Sequence, residues 1–275
     1  MAAHLLRLRL DLLLGALRGD ARHVTRVLLA LLALILVVAG VVIGTLRLQT
    51  AGADVAAAVT IVAGSALTLG VFAAAFMGGI DDQLDPRRFA VFGLSPLSVA
   101  GSTFAAGILS LPVLALIVVA VAVGRLWVGL GASVALTIVA AVLGALTCAL
   151  TAKVALAFAG LVLPGRRSRE LAGVFLVAVL VVVIPTALFF VSLEWNGQVP
   201  SALREAVEVL SVTPLGAAWA IPAASLSGSF TGPLLVAIAT VLGLGALWVW
   251  LVHRLLTTAE PVSYTHLTLP TKRIV

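Results

Sequence analysis

Charge is what this chain most lacks. Of its 275 residues only 10% are Asp, Glu, Lys or Arg, against about one quarter in an ordinary soluble domain. With 62% apolar residues and a mean hydropathy of +1.24, that scarcity excludes a soluble globular enzyme. Cysteine is nearly absent as well. The single Cys148 lies in an apolar run, which excludes a disulfide framework and a cysteine metal cage. Aromatic residues make up 6%, and there is no long polar tract of low complexity, so neither disorder nor a collagen-like scaffold fits. His4, His23 and His253 stand far apart, with no pair at i, i+4 and no carboxylate partner, so the pattern supports no metal site. Gly160 and Gly165 have the first spacing of a phosphate-binding loop, but Arg166 and Arg167 stand where Lys and Ser or Thr are required. A Gly-x-Ser-x-Gly nucleophile elbow is also missing. No catalytic residue, cofactor or metal is expected.

What the chain has in quantity is long apolar runs. A hydrocarbon core about 30 Å thick needs roughly 20 apolar residues per helical span, and six segments qualify: 27–46, 55–77, 99–123, 128–153, 171–193 and 233–252. The reading is an all-α polytopic membrane protein, a six-helix bundle over residues 27–261 behind an N-terminal segment of residues 1–26. Pro112 and Pro185 fall inside spans and predict kinks in a packed bundle. Residues 128–163 as one helix would measure about 54 Å at 1.5 Å per residue, so the fourth span is expected to leave the core near Lys153, whose amine would snorkel to the interface. Gly40 and Gly44 form a Gly-x-x-x-Gly pair suited to close helix packing. The spans contain no Asp, Glu or His, which disfavours a proton-driven relay.

Orientation follows from lysine and arginine, which are retained on the cytoplasmic side. With the N-terminus inside, the inner segments hold Arg7, Arg9, Arg18, Arg22, Arg26, Arg87, Arg88, Lys153, Arg166, Arg167, Arg169 and Arg254. The outer loops hold only Arg47, Arg125 and Arg204. This basic surplus reports topology, not nucleic-acid binding. On a helical projection His4, Arg7, Asp11, Arg18 and Arg22 share a sector about 60° wide, with leucines over most of the rest. That pattern fits a helix lying in the interface against lipid headgroups; the alternative is a plain positive flank that orients the first span.

Two local features stand out. Between the second and third spans, Asp85 followed by Pro86 is an N-cap and first-turn signature, predicting a short helix that stops near Gly93. It would put Arg87 and Arg88 at the inner face and Phe89 and Phe92 on the apolar side. Before the last span, residues 212–226 are moderately apolar but carry Pro214 and Pro222, with Trp219 between them. That composition suits a re-entrant or surface-lying element on the outer side.

Three stretches together resemble the permease subunits of ABC-2 type transporters, within a group common in high-GC actinobacteria. They are Gly79-Ile-Asp-Asp-Gln-Leu-Asp-Pro-Arg-Arg-Phe-Ala-Val-Phe-Gly-Leu-Ser-Pro-Leu97, then Leu146-Thr-Cys-Ala-Leu150 leading to Arg166-Arg-Ser-Arg-Glu-Leu171, and Thr213-Pro-Leu-Gly-Ala-Ala-Trp-Ala-Ile-Pro222. The Gly93-Leu-Ser run before Pro96 is longer than that family's usual spacing. The resemblance implies the transmembrane subunit of an ATP-driven exporter, with ATP hydrolysed on a separate cytoplasmic ATPase that docks around Asp85 to Phe92. It also implies either a homodimer or a fused second transmembrane half. A secondary transporter or channel, or a polytopic assembly factor, remains the alternative. The last fourteen residues, 262–275, resemble something else: the codons GTC TCT TAT ACA CAT CTG ACG CTG CCG ACG of a sequencing adapter encode Val262 to Thr271. On that expectation the native segment reads to about Pro261, and leaving out Lys272 and Arg273 takes Lys and Arg from 17 to 15 against 11 acids.

Overall fold

The computed structural model describes residues 21–78, 86–108, 110–162 and 199–257. The predicted interfacial helix with Arg7, Arg18 and Arg22, the predicted fifth span, Asp85 and the tail from Val262 lie outside these residues. Among the described residues there are eight α-helices, one 3-10 helix and no strand. Helix α1 is Ala21–Leu48 and α2 is Ala53–Gly78, joined by a turn in which Gly52 takes a φ of 89°. The 3-10 helix Pro86–Phe92 follows, ending at Gly93 with φ 61°. Then come α3 (Pro96–Ile108), α4 (Leu111–Gly129) and α5 (Val134–Val162), and after residue 198 α6 (Ser201–Ser211), α7 (Ala217–Leu226) and α8 (Thr231–Thr257).

Four of these helices, α2, α4, α5 and α8, are long and apolar enough to cross a membrane. Their apolar residues are spread around the whole helix, and on the two outer ones much of that surface points outward: only 17% of the apolar stretch of α4 and 22% of that of α8 is buried within the bundle. Val121 and Leu242 are 66% and 68% exposed. Helices that are apolar on every side belong in a large core or in lipid, and a bundle of this size has no core large enough to hold them. Helix α1 contains the predicted first span, and its described apolar stretch is Leu34–Leu48. No atom of the described residues lies within 4 Å of a Cβ placed on Gly40 or Gly44, so this glycine pair makes no close helix contact here.

Two predicted spans differ from the observed helices. The third is two helices, not one kinked helix. Helix α3 ends at Ile108, Ser110 adopts extended backbone angles (φ −94°, ψ 148°), and Pro112 sits in the first turn of α4. A proline there has no helical N–H to lose, so it starts a helix instead of bending one. The fourth continues past Lys153 as the same helix, and the lysine does not reach out to a surface. Helix α5 runs unbroken to Val162, and Lys153 is only 7% exposed.

Helix α5 is the axis of the bundle, packed against α2, α3, α4, α7 and α8. At one end Ala56, Leu126, Trp127 and Ala132 form a cluster that ties the start of α2 to the α4–α5 turn. Towards the other end Val99 and Ala100 of α3, Leu150 and Val154 of α5, and Leu251 and Val252 of α8 close a second one. Helices α6 and α7 form a hairpin beside α2. Val199 and Leu203 pack on Ala58, Gly216 after the apex lies against Ser65, and Ala223 returns to the Ala56 and Trp127 cluster. Both open ends of the hairpin therefore lie at the Trp127 end. Its apex sits about 14 Å further along α2, nine residues at 1.5 Å each from Ala56 to Ser65.

Candidate functional site

The short element begins at Pro86 and ends before Gly93, as the proline and the glycine predict, but its helix is of the tighter 3-10 type. Three residues per turn put positions 86, 89 and 92 in one row. Along that row Pro86 is buried, Phe89 is half-buried against Ala106 and the α3–α5–α8 cluster, and Phe92 is 67% exposed. Phe92 therefore stays out of the packed cluster that holds Phe89. The element rests on α8 and α3.

Arg87 turns back into the molecule. Its Nη2 donates a 2.7 Å hydrogen bond to the carbonyl oxygen of Gly160, in the last turn of α5. The final carbonyls of a helix lack intrahelical donors and carry the negative end of its dipole, so a guanidinium is well matched to that position. One charged hydrogen bond therefore fastens the 3-10 helix to the end of the central helix, and Arg87 serves as a cap on α5. Arg88 lies in the same helix.

Beside this junction, Lys153 is enclosed by α3, α5 and α8. Its Nζ lies 5.9 Å from the centre of the Trp248 ring, within cation–π range, while the Trp248 Nε1 donates to the Ala100 carbonyl at 3.2 Å. A Cβ on Gly107 would come within 3.0 Å of the Lys153 Cε, so the absent side chain makes room for the lysine stem. On the exposed side of α8, Arg254 stacks 5.4 Å from the centre of the Trp250 ring.

The residues expected in the outer element separate. Trp219 and Pro222 are buried in α7, whereas Pro214 is exposed at the hairpin apex. Trp219 is the wedge that seats α7. Its indole lies over Gly64, where a Cβ would overlap the ring, and its Nε1 donates to the Thr68 hydroxyl at 3.3 Å. Thr68 passes its own hydrogen to the Gly64 carbonyl at 2.9 Å and meets Cys148 Sγ at 3.7 Å. A cleft of about 20 Å³ between Ala120, Thr137, Ala141, Trp219 and Pro222 has room for one water at most. Among the described residues no three His, Cys, Asp or Glu side chains come together to hold a metal.

Sequence reasoning missed α6. Leu203, Val207 and Leu210 recur at helical spacing after Pro200, with Leu203 and Val207 packed on α2, while Arg204, Glu205 and Glu208 are exposed. The signal was that amphipathic spacing, too short and too charged to resemble a span. Comparison of the chain with family models, with curated proteins and with solved structures finds no match.

Proposed function

We propose that the chain is the membrane-spanning subunit of an ATP-driven exporter of the ABC-2 type, coupled to a separate cytoplasmic ATPase. The observation that carries this reading is the 3-10 helix Pro86–Phe92, fixed to the end of the axial helix through Arg87 and Gly160 and exposing Phe92 at its far end. A short rigid element that is bonded to the central helix and packed on α3 and α8 transmits a push from a soluble partner to most of the bundle. The distribution of lysine and arginine puts this end on the cytoplasmic side. With α6 and α7 entering and leaving at the opposite end, their hairpin is the re-entrant element of the outer face, and the whole chain follows a six-span plan with both ends inside. The bundle works either as a homodimer or joined to a second transmembrane half.

The test is co-purification from the native membrane. A nucleotide-hydrolysing partner whose turnover rises on reconstitution with this chain is the expected outcome. Phe92→Asp and Arg88→Glu should each uncouple that stimulation while leaving the chain in the membrane. Partner binding and turnover unchanged by both substitutions would remove the coupling site, and purification without any ATPase would remove the exporter reading.

A further inference from the structure

Helix α6 carries the only dense group of charges among the described residues that lies alongside the spans. Its apolar side, through Leu203 and Val207, packs on Ala58 and Val62 of α2. Arg204, Glu205 and Glu208 project from the other side and are exposed. The depth of this face can be set against the bundle. Ala56, Trp127 and Ala132 mark one end, close to the exposed Arg125. Val62 is six residues further along α2, about 9 Å at 1.5 Å per residue, and the hairpin apex by Ser65 is deeper still. The three ionisable groups therefore sit beside the first half of α2, within the length of that helix that is apolar enough to span a membrane.

Lipid is a poor environment for them. An arginine or acid at the centre of a membrane helix costs about 2.5–3.5 kcal/mol even on the mildest scales. The apex adds a second difficulty, because its backbone is irregular: Thr213 bonds back to the Leu210 carbonyl through its hydroxyl at 2.8 Å, and Pro214 is exposed. Non-helical backbone at membrane depth persists only against protein or water. Val209 and Val212, 63% and 57% exposed, share this face and show that no described residue covers it.

We propose that the Arg204, Glu205 and Glu208 face of α6 lines a water-filled recess that opens at the end of the bundle carrying the α1–α2 and α4–α5 turns. The proposal rests on the membrane reading of the chain and is independent of the ATPase. Its occupant is bulk water continuous with that side, and the two carboxylates and one guanidinium give the wall mixed charge. It supplies the intramembrane acids that the long apolar runs themselves lack.

Single thiols test this in intact cells with a membrane-impermeant maleimide. Glu205→Cys and Glu208→Cys report the recess, Thr50→Cys in the α1–α2 turn marks that end of the bundle, and Leu242→Cys on α8 faces lipid. The unsubstituted chain, whose Cys148 is buried, is the blank. A thiol must ionise in water to react, so the expected result is labelling of Glu205→Cys and Glu208→Cys from the same side as Thr50→Cys, within about tenfold of its rate, with Leu242→Cys silent. Labelling of all three only in inverted vesicles supports the recess and reverses the orientation alone. Reaction of Thr50→Cys with neither α6 thiol reacting overturns the proposal, since lipid or a second copy then covers the face. Reaction of Leu242→Cys as fast as Thr50→Cys overturns the membrane reading, and the recess with it.

Discussion

Two glycines, a lysine and an arginine set the close contacts of this bundle, and substitutions there have distinct expected signatures. Gly64→Ala places a methyl group where the Trp219 indole lies. Overpacking of this kind destabilises by about 1–3 kcal/mol, read as a lower melting temperature in detergent. Adding Trp219→Leu should cost less in that background than in the unsubstituted chain, because the two positions share one contact. Arg87→Ala should lose about 1.5–3 kcal/mol, the range for a hydrogen bond to a charged group, and Arg87→Lys should recover part of it. Lys153→Met keeps the volume of the stem but loses the amine over the Trp248 ring, so it should cost about 0.5–2 kcal/mol; unchanged stability would show that the amine is not needed. Gly107→Val should be damaging, because the lysine stem occupies that space. None of these pairings was legible in the chain. Gly64 and Trp219 are 155 positions apart, and the sequence around Gly64 is rich in small residues that all look alike.

At the level of elements, punctuation was legible and pitch was not. Pro86 and the later Gly93 bracketed the short helix, because a fixed proline φ starts a turn and a positive φ ends one. Nothing in seven residues distinguished 3-10 from α winding, nor told the packed Phe89 from the exposed Phe92. Gly93 gives an expected outcome at this scale. At φ 61° Gly93→Asn should be tolerated and Gly93→Val should cost about 1–2 kcal/mol, the price of a left-handed conformation for an ordinary residue. If the valine variant melts like the original, the turn is not what ends the helix. Pro112 teaches the complementary point. The same residue kinks a helix from its interior and opens one from its first turn, and the extended Ser110 just before it decides which.

For the whole molecule, hydropathy located apolar helices but not their partners. Helices α2, α4, α5 and α8 are apolar on every side, so no moment marks which face turns inward, and the axial position of α5 emerged only from packing. The expected behaviour is that of an integral protein: the chain stays in the pellet after carbonate extraction. Thr50→Cys and Phe92→Cys should also be labelled from opposite sides of the membrane. Labelling of both from one side would break the bundle's polarity, and release by carbonate would break its integration.

The α6–α7 hairpin also dictates an order of assembly. Helix α7 has ten residues, too few to cross on its own, and it borders α2, α5 and α8. During synthesis α8 emerges after it, so for some time α7 has a wall missing. On the re-entrant placement proposed above, the hairpin is expected to wait in water on the far side of the membrane and drop into its groove once α8 has arrived, with Trp219 closing over Gly64 as the last fit. A chain stopped at Ser227 should accordingly leave the hairpin open to protease from that side, while the helices before it remain protected.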